Sequence, residues 1–354
     1  MYEIHISDLR SFKSCRRKWW WSSPLGLNLE PNVPYAPFFS GRAVHYAHEM
    51  YYGSKHVPFN TSLGKFFDHE IREMEKTGRL WPQEQATFDE QVNLCIGIMD
   101  HYNLWIKGLE GHYADSNLEF KALETTFRVP IYANSGHRST KVYLAGRFDG
   151  LVKNKEDGTF WIWEIKTTRS IDELTRSLAN DEQAGAYLWA AQQIYKVPIT
   201  GVLYNILRKK LPSKPLVLQS GMLSVNKQID TTPEYYFMAI HENHPDWDME
   251  TITAHYGDFL SNMVTTGKPF FIRYPVYRTR MEIDTLAENL HATALEMTRK
   301  STVLYPTPGW MNCNFCHFRG PCLAMNAGGD VPFLLDNEYR VRTDPNAWRE
   351  DDDA

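Results

Sequence analysis

Cys15 stands near the amino end of this 354-residue chain, and Cys313, Cys316 and Cys322 cluster near the other. The late group reads Cys-x2-Cys-x5-Cys, a metal-ligand spacing, and the fourth thiolate that a tetrahedral or cluster site needs has one distant candidate, Cys15. A fold that joins these thiolates must bring its two ends together. The metal would then staple a loop containing almost the entire chain, and losing it would release substantial loop entropy. Spacing leaves Zn²⁺ bound by four thiolates and an iron–sulfur cluster both open.

Five cysteines are too few for a disulfide scaffold in a chain of this length. Cys95 lies in the pattern Val92, Leu94, Ile96, Ile98, Met99 and reads as a buried apolar residue. A hydrophobic content of 43% with 14% aromatic supports a sizeable core. No run of eighteen apolar residues occurs, and Met1 to Lys18 holds no apolar signal-like segment, so the expectation is a cytoplasmic protein with no membrane partner. The net charge of −5 does not announce a nucleic-acid binder. Local patches still admit that role: Arg16, Arg17 and Lys18 adjoin Trp19, Trp20 and Trp21, and Arg208, Lys209 and Lys210 form a second basic knot. The competing reading of each is a solvated face.

Periodicity predicts a helix over 7–22, capped by Ser7 and carrying Cys15 on its apolar face, then a helix from about Gly41 to Tyr52 with His45, His48 and Glu49. Residues 62–110 read as helical, with a turn around Trp81 and Pro82. Strands are expected at 119–132, 141–153 and 159–167, separated by turn signals at Asn134 to Gly136 and Asp157 to Gly158. A helix over 171–195, strands near 199–208 and 215–226, and helices over 232–264 and 280–299 follow, before an irregular cysteine segment at 301–330. This order predicts an α/β or α+β core with the helix laid on a sheet. No Gly-x4-Gly-Lys-Ser/Thr loop is present, which argues against a built-in NTPase motor.

Asp149 ends the segment Tyr143-Leu-Ala-Gly-Arg-Phe-Asp, and Glu164 and Lys166 share one face of the next strand. If that strand is central, an unpaired buried charge costs several kcal/mol, and a divalent cation bridging Asp149 and Glu164 relieves it. If it is an edge strand, Glu164 and Lys166 are ordinary surface residues. Gln183 and Tyr187 stand four apart on one helix face, as do His45 and Glu49.

Taken in order, Ser7-Asp-Leu-Arg-Ser-Phe-Lys-Ser-Cys15, Gly41-Arg-Ala-Val-His45, Gly146-Arg-Phe-Asp149, Glu164-Ile-Lys166, Gln183-Ala-Gly-Ala-Tyr187 and the closing cysteines resemble the PD-(D/E)xK nuclease superfamily. The resemblance is to its RecB-like branch with an iron–sulfur cluster, which includes CRISPR-associated exonucleases and AddB-type nuclease domains, and it runs from residue 7 to about 325. It implies a restriction-endonuclease-like α/β core, a mixed central sheet flanked by helices, forming one nuclease domain over 1–330 with helical insertions at about 55–117 and 230–300. Residues 331–354 would be an extension, with a disordered acidic end. It implies that His45, Asp149, Glu164 and the carbonyl of Ile165 bind Mg²⁺ or Mn²⁺, that Lys166 orients or deprotonates the attacking water, and that Gln183 and Tyr187 contact DNA and orient Lys166. Glu49 would support His45 or a metal-bound water. By the same resemblance Cys15, Cys313, Cys316 and Cys322 hold a [4Fe–4S] cluster, shielded by Trp310, Phe315 and Phe318, in preference to Zn²⁺. The implied activity is metal-dependent hydrolysis of DNA from single-stranded ends in recombination, repair or processing. A structure-selective endonuclease and a noncatalytic DNA-binding adaptor are the alternatives. Recombination or CRISPR adaptation proteins are the partners implied, and a homo-oligomer is compatible with the motifs.

Overall fold

The computed structural model describes residues 2–32, 36–76, 82–132 and 138–342. The turns expected at Trp81–Pro82 and Asn134–Gly136 involve positions outside them, as does the acidic tail. In chain order the elements are β1 (Tyr2–Ile4), α1 (Ile6–Ser14), α2 (Arg16–Ser22), β2 (Leu29–Pro31), α3 (Ala36–Tyr52), α4 (Phe59–Lys76) and α5 (Pro82–Gly108). Then come β3 (Leu118–Tyr132), β4 (Arg138–Asn154), β5 (Phe160–Thr168), α6 (Ile171–Leu178), α7 (Glu182–Ile194) and β6 (Ile199–Arg208). The last part holds α8 (Pro233–Asn243), α9 (Met249–Thr266), β7 (Phe271–Val276), α10 (Arg280–Met297), α11 (Trp310–Asn314), α12 (Arg319–Asn326), α13 (Val331–Glu338) and β8 (Tyr339–Val341). Among the described residues no helix is long and apolar enough to cross a membrane.

The chain divides into two compact units, one of Met1–Tyr35, Thr126–Gly146 and Thr279–Ala354, the other of Ala36–Thr125 and Arg147–Arg278. The second contains a mixed sheet. There β4 pairs antiparallel with β5 through Gly150 opposite Trp163, β5 runs parallel to β6, and β7 closes the edge antiparallel to β6. A parallel neighbour requires a crossover, supplied by α6 and α7. β5 is therefore a central strand, and its residues alternate between two covered faces. Trp163 meets Tyr52 of α3, while Glu164 and Lys166 face Gln183 of α7. Tyr102 of α5 donates to the buried Asn205 of β6 on the α3 side, and that amide also meets His48. The helices thus flank a central sheet, as the sequence pattern predicts.

In the smaller unit β1 runs parallel to Val142–Leu144 of β4, and β2 pairs antiparallel with β8. Trp21, Phe318, Val331 and Tyr339 form a small buried core that Cys316 and Cys322 flank.

Several expected elements are divided. The helix predicted over 7–22 breaks at Cys15, whose backbone is extended at φ −163°, and it begins after His5, which with Asp8 forms a capping box in place of Ser7. The helix predicted over 171–195 becomes α6 and α7, because Asp181 accepts from the backbone N–H of Gln183 and starts a new helix. Asp248 likewise caps α9 and divides the stretch predicted over 232–264. The strand near 215–226 shrinks to one bridge between Val217 and Leu223. β7 was not expected: Pro275 within it demotes a strand reading, yet an edge position tolerates the proline.

Candidate active site

Gly146-Arg-Phe-Asp149 lies on β4 and Glu164-Ile-Lys166 on β5. The register sets Gly150 opposite Trp163, which leaves Asp149 opposite Glu164 at the point where the pairing ends. Asp149 closes that gap with its side chain: Oδ2 accepts the backbone N–H of Ile165 at 2.7 Å. Its other oxygen, Oδ1, stands 3.3 Å from Nδ1 of His45 on α3. Lys166 Nζ donates to Glu164 Oε1 at 2.6 Å and to Gln183 Oε1 at 2.9 Å, and Gln183 Nε2 donates to the same Glu164 oxygen at 2.9 Å. Glu164 is 2% exposed, and its Oε2 is buried with no hydrogen-bond partner among the described residues. The edge-strand alternative is therefore excluded. An oriented, buried carboxylate oxygen without a donor suits a cation.

The charges are strongly coupled. Burial would raise the Asp149 carboxyl, but His45, the Ile165 N–H and Lys166 outweigh it and hold that group below its ordinary value. Burial and the Asp149 charge push Glu164 up to about 7 against the pull of Lys166. Burial would lower His45 and Lys166, yet the carboxylates beside each raise both. Three carboxylates meet in this low-dielectric site beside three cationic partners, His45, Lys166 and Arg147, and an oxygen-rich donor set of this kind suits a divalent ion.

The third of those groups is Glu124, which the motif pattern does not contain. His45, Glu124 and Asp149 each offer a ligand atom within 4.8 Å of the others. Arg147 Nε forms an ion pair with Glu124 Oε2 at 2.7 Å, and burial with the Asp149 charge pushes this carboxyl up to about 7. In sequence Glu124 is one charged residue in a long strand, and only the contact of β3 with β4 reveals it.

The other expected residues have clear positions. Tyr187 is buried on α7, with its ring edge-on to Phe148 at 5.3 Å. Glu49 contributes repulsive charge to Glu124. Within the basic knots Arg208 and Lys210 pair with Asp230 and Arg16 pairs with Glu296, while Trp19 and Trp21 are core residues whose rings offer no stacking surface.

In the smaller unit Cys15 precedes α2, Cys313 lies in α11, Cys316 just after it and Cys322 in α12. Thr307 N–H approaches Cys15 Sγ at 3.5 Å, and Arg17 Nη1 donates to Cys322 Sγ at 3.3 Å. Burial raises the Cys316 thiol, and neighbouring Cys15 and Cys322 add to the rise. Among the described residues no three thiols are gathered within 4.8 Å. Phe318 is 2% exposed and can shield the group, but Trp310 at 72% and Phe315 at 61% face solvent and do not fill the shielding role expected of them. Cys95 is buried, its thiol pushed up to about 12 by burial, as its apolar pattern predicts.

No curated protein matches the chain in sequence. The family model of the PD-(D/E)XK nuclease superfamily matches residues 4–323. With the Asp149, Glu164 and Lys166 constellation inside that match, on a mixed sheet flanked by helices, the chain belongs to the PD-(D/E)XK nuclease superfamily.

Proposed function

We propose that the protein is a RecB-like DNA exonuclease that hydrolyses phosphodiester bonds from single-stranded ends, using Mg²⁺ or Mn²⁺. The observation that carries this reading is the interlocked set of Glu164, Lys166 and Gln183 beside Asp149, with one Glu164 oxygen left for a cation. Asp149, Glu164, the Ile165 carbonyl and His45 are the residues that would hold the ion. A bound divalent ion supplies charge neutralisation at the scissile phosphate and lowers the pKa of water. Lys166, fixed by Glu164 and Gln183, presents its ammonium to the attacking water and the phosphate oxygens. Gln183 limits the freedom of that lysine, so little reorganisation is needed at the moment of reaction.

Cys15, Cys313, Cys316 and Cys322 suit a [4Fe–4S] cluster in donor chemistry. In this reading residues 1–330 are one nuclease domain and the remainder is an extension.

The test is cleavage of end-labelled linear and circular single-stranded DNA with Mn²⁺ by anaerobically purified protein. Loss of the linear DNA alone is expected. Cutting of circles would replace the exonuclease with an endonuclease, and no cutting of either would refute the catalytic reading.

A further inference from the structure

The face of α3 that brings His45 to Asp149 continues along the helix to Glu49 and Tyr52, at spacings of four and three. β3 runs beside that face. Glu49 adds repulsive charge to Glu124, and the Tyr52 ring stacks on Phe120 of β3 with centroids 4.2 Å apart. The two elements therefore leave the carboxylate centre together. Seven helical residues advance about 10 Å and four strand residues about 13 Å, so Tyr52 and Phe120 stand about three B-form nucleotide steps from it.

At that end the walls part around a cavity of about 740 Å³. Tyr51, Tyr52, Leu118, Phe120 and Leu123 line it with rings and aliphatic carbon, and Asp115 adds a carboxylate. Leu123 immediately precedes Glu124, which turns left-handed at φ 46° and offers its carboxylate beside His45 and Asp149. Along β3, cavity and centre are thus adjacent. The walls are held from behind. A Cβ on Gly150 of β4 would meet the Ala122 carbonyl oxygen at 3.1 Å and Leu123 Cδ2 at 3.2 Å, so glycine lets β3 lie close on β4. Across the cavity Tyr51 stacks on Phe59 of α4 at 4.0 Å.

Asp115 is fixed by the guanidinium of Arg273, whose side chain is 2% exposed, and by Tyr52, whose hydroxyl donates to both carboxylate oxygens at 3.2 and 3.1 Å. A carboxylate has about four acceptor sites, so capacity remains toward the cavity, where the side chain is still 26% exposed. A carboxylate in this place repels a phosphate and accepts from an amino group. Ring-bearing walls suit a flat aromatic guest. Together these describe a base of the nucleic acid and not its backbone.

We propose that this cavity is a subsite for one unpaired nucleobase of the strand being cleaved, contacted by the rings of Tyr51 and Phe120 and read by Asp115 through an exocyclic amino group, as on cytosine or adenine. The proposal rests on the nuclease reading above and adds a specificity pocket to it. A base stacked inside a duplex cannot enter such a pocket without first being unpaired, which gives the preference for single strands a physical cause.

A walk of single abasic residues along a labelled DNA strand tests this, with equilibrium binding to the full-length, anaerobically purified Lys166→Ala chain, which holds the strand uncut. Loss of one base, within about three nucleotides of the bond that wild type cleaves, is expected to weaken binding about tenfold, and loss of others much less. Tyr51→Leu in the same background keeps apolar bulk and removes the ring. It is expected to bind the intact strand about tenfold more weakly and the strand abasic at that position as well as its parent does. Circular dichroism checks folding; should Tyr51→Leu not fold, Phe120→Leu is expected to give the same pattern. Equal tolerance of abasic residues at every position overturns the proposal, as does a folded variant that weakens intact and abasic strands alike. Thymine bound at the sensitive position as tightly as cytosine or adenine overturns the role of Asp115. Wild-type cleavage with no base-sensitive position would overturn this proposal only, whereas neither binding nor cleavage of any strand would overturn the nuclease reading with it.

Discussion

The carboxylate centre of the larger unit and the cysteine group of the smaller one differ in what holds their side chains in place. Asp149, Glu164, Lys166 and Gln183 are fixed by hydrogen bonds among adjacent strands and the helix that follows them. Sheet register determines their meeting, and buried neighbours preserve it. Cys15 and Cys322 instead come from distant parts of the sequence, and their sulfurs have one donor contact each from Thr307 and Arg17. A small core of Trp21, Phe318, Val331 and Tyr339 packs against Cys316 and Cys322. The comparison teaches that the first centre is organised by the protein's own hydrogen bonds, whereas the second would depend, in the cluster reading proposed above, on a group that joins its thiolates.

Removing one thiolate is the strongest way to break that comparison. Cys15→Ala is expected to give colourless, poorly folded protein, a loss on the order of 10 kcal/mol if the cluster contributes as other structural metal sites do. Visible absorbance and limited proteolysis of the smaller unit measure it, with Cys95→Ala as the control that stays coloured. Soluble, brown, fully stable Cys15→Ala would show that its thiolate is not a ligand.

Gln183→Ala sharpens the other side. It removes the amide that joins Lys166 and Glu164, so single-turnover cleavage is expected to fall about 10- to 100-fold with little change in stability. An unchanged rate would mean that the lysine needs no such restraint.

Gly150→Ala introduces a Cβ against the Ala122 carbonyl and Leu123, forcing β3 from β4 at a cost of about 1–3 kcal/mol. Urea unfolding measures that cost. A stabilised variant would show that the strands are less tightly apposed than described.

The smallest effect comes from His48, buried in the larger unit with Nδ1 toward the Val44 carbonyl and Nε2 toward the Asn205 amide. Burial lowers its pKa to about 3 from 6.5. Below pH 6.5 the unfolded chain takes up the proton that the folded chain refuses. Its contribution to stability is therefore complete above pH 6.5 and declines as pH falls toward 3, by up to about 1.4 kcal/mol per pH unit. Urea midpoints at pH 7 and pH 5 should diverge more for wild type than for His48→Gln; an equal divergence would remove His48 as the cause.

The strands and their charges were legible because strand alternation is local: β3, β4, β5 and β6 lie close to the predicted ranges, and Glu164 and Lys166 share the face expected. Breaks inside helices were harder to read. Apolar spacing resumes on both sides of Cys15 and across 179–181, so periodicity joins segments that the backbone separates. Asp181 carried the relevant signal, a cap residue just before Glu182 and Gln183, but it competed with an uninterrupted apolar pattern. Glu124 had no such local signal. Its left-handed backbone follows Ala122 and Leu123, which lie against Gly150, positions far apart in sequence. The ion-pair partners of the basic knots were hidden for a related reason, since Asp230 and Glu296 also lie far along the chain.

The most direct measurement is the single-turnover rate of DNA cleavage with saturating Mg²⁺ for wild type, Asp149→Ala, Glu164→Ala and Lys166→Ala, with circular dichroism and visible absorbance recorded for each. The account predicts that every variant loses at least about a thousandfold in rate while keeping its fold and colour. Wild-type rates in any two of them would contradict it.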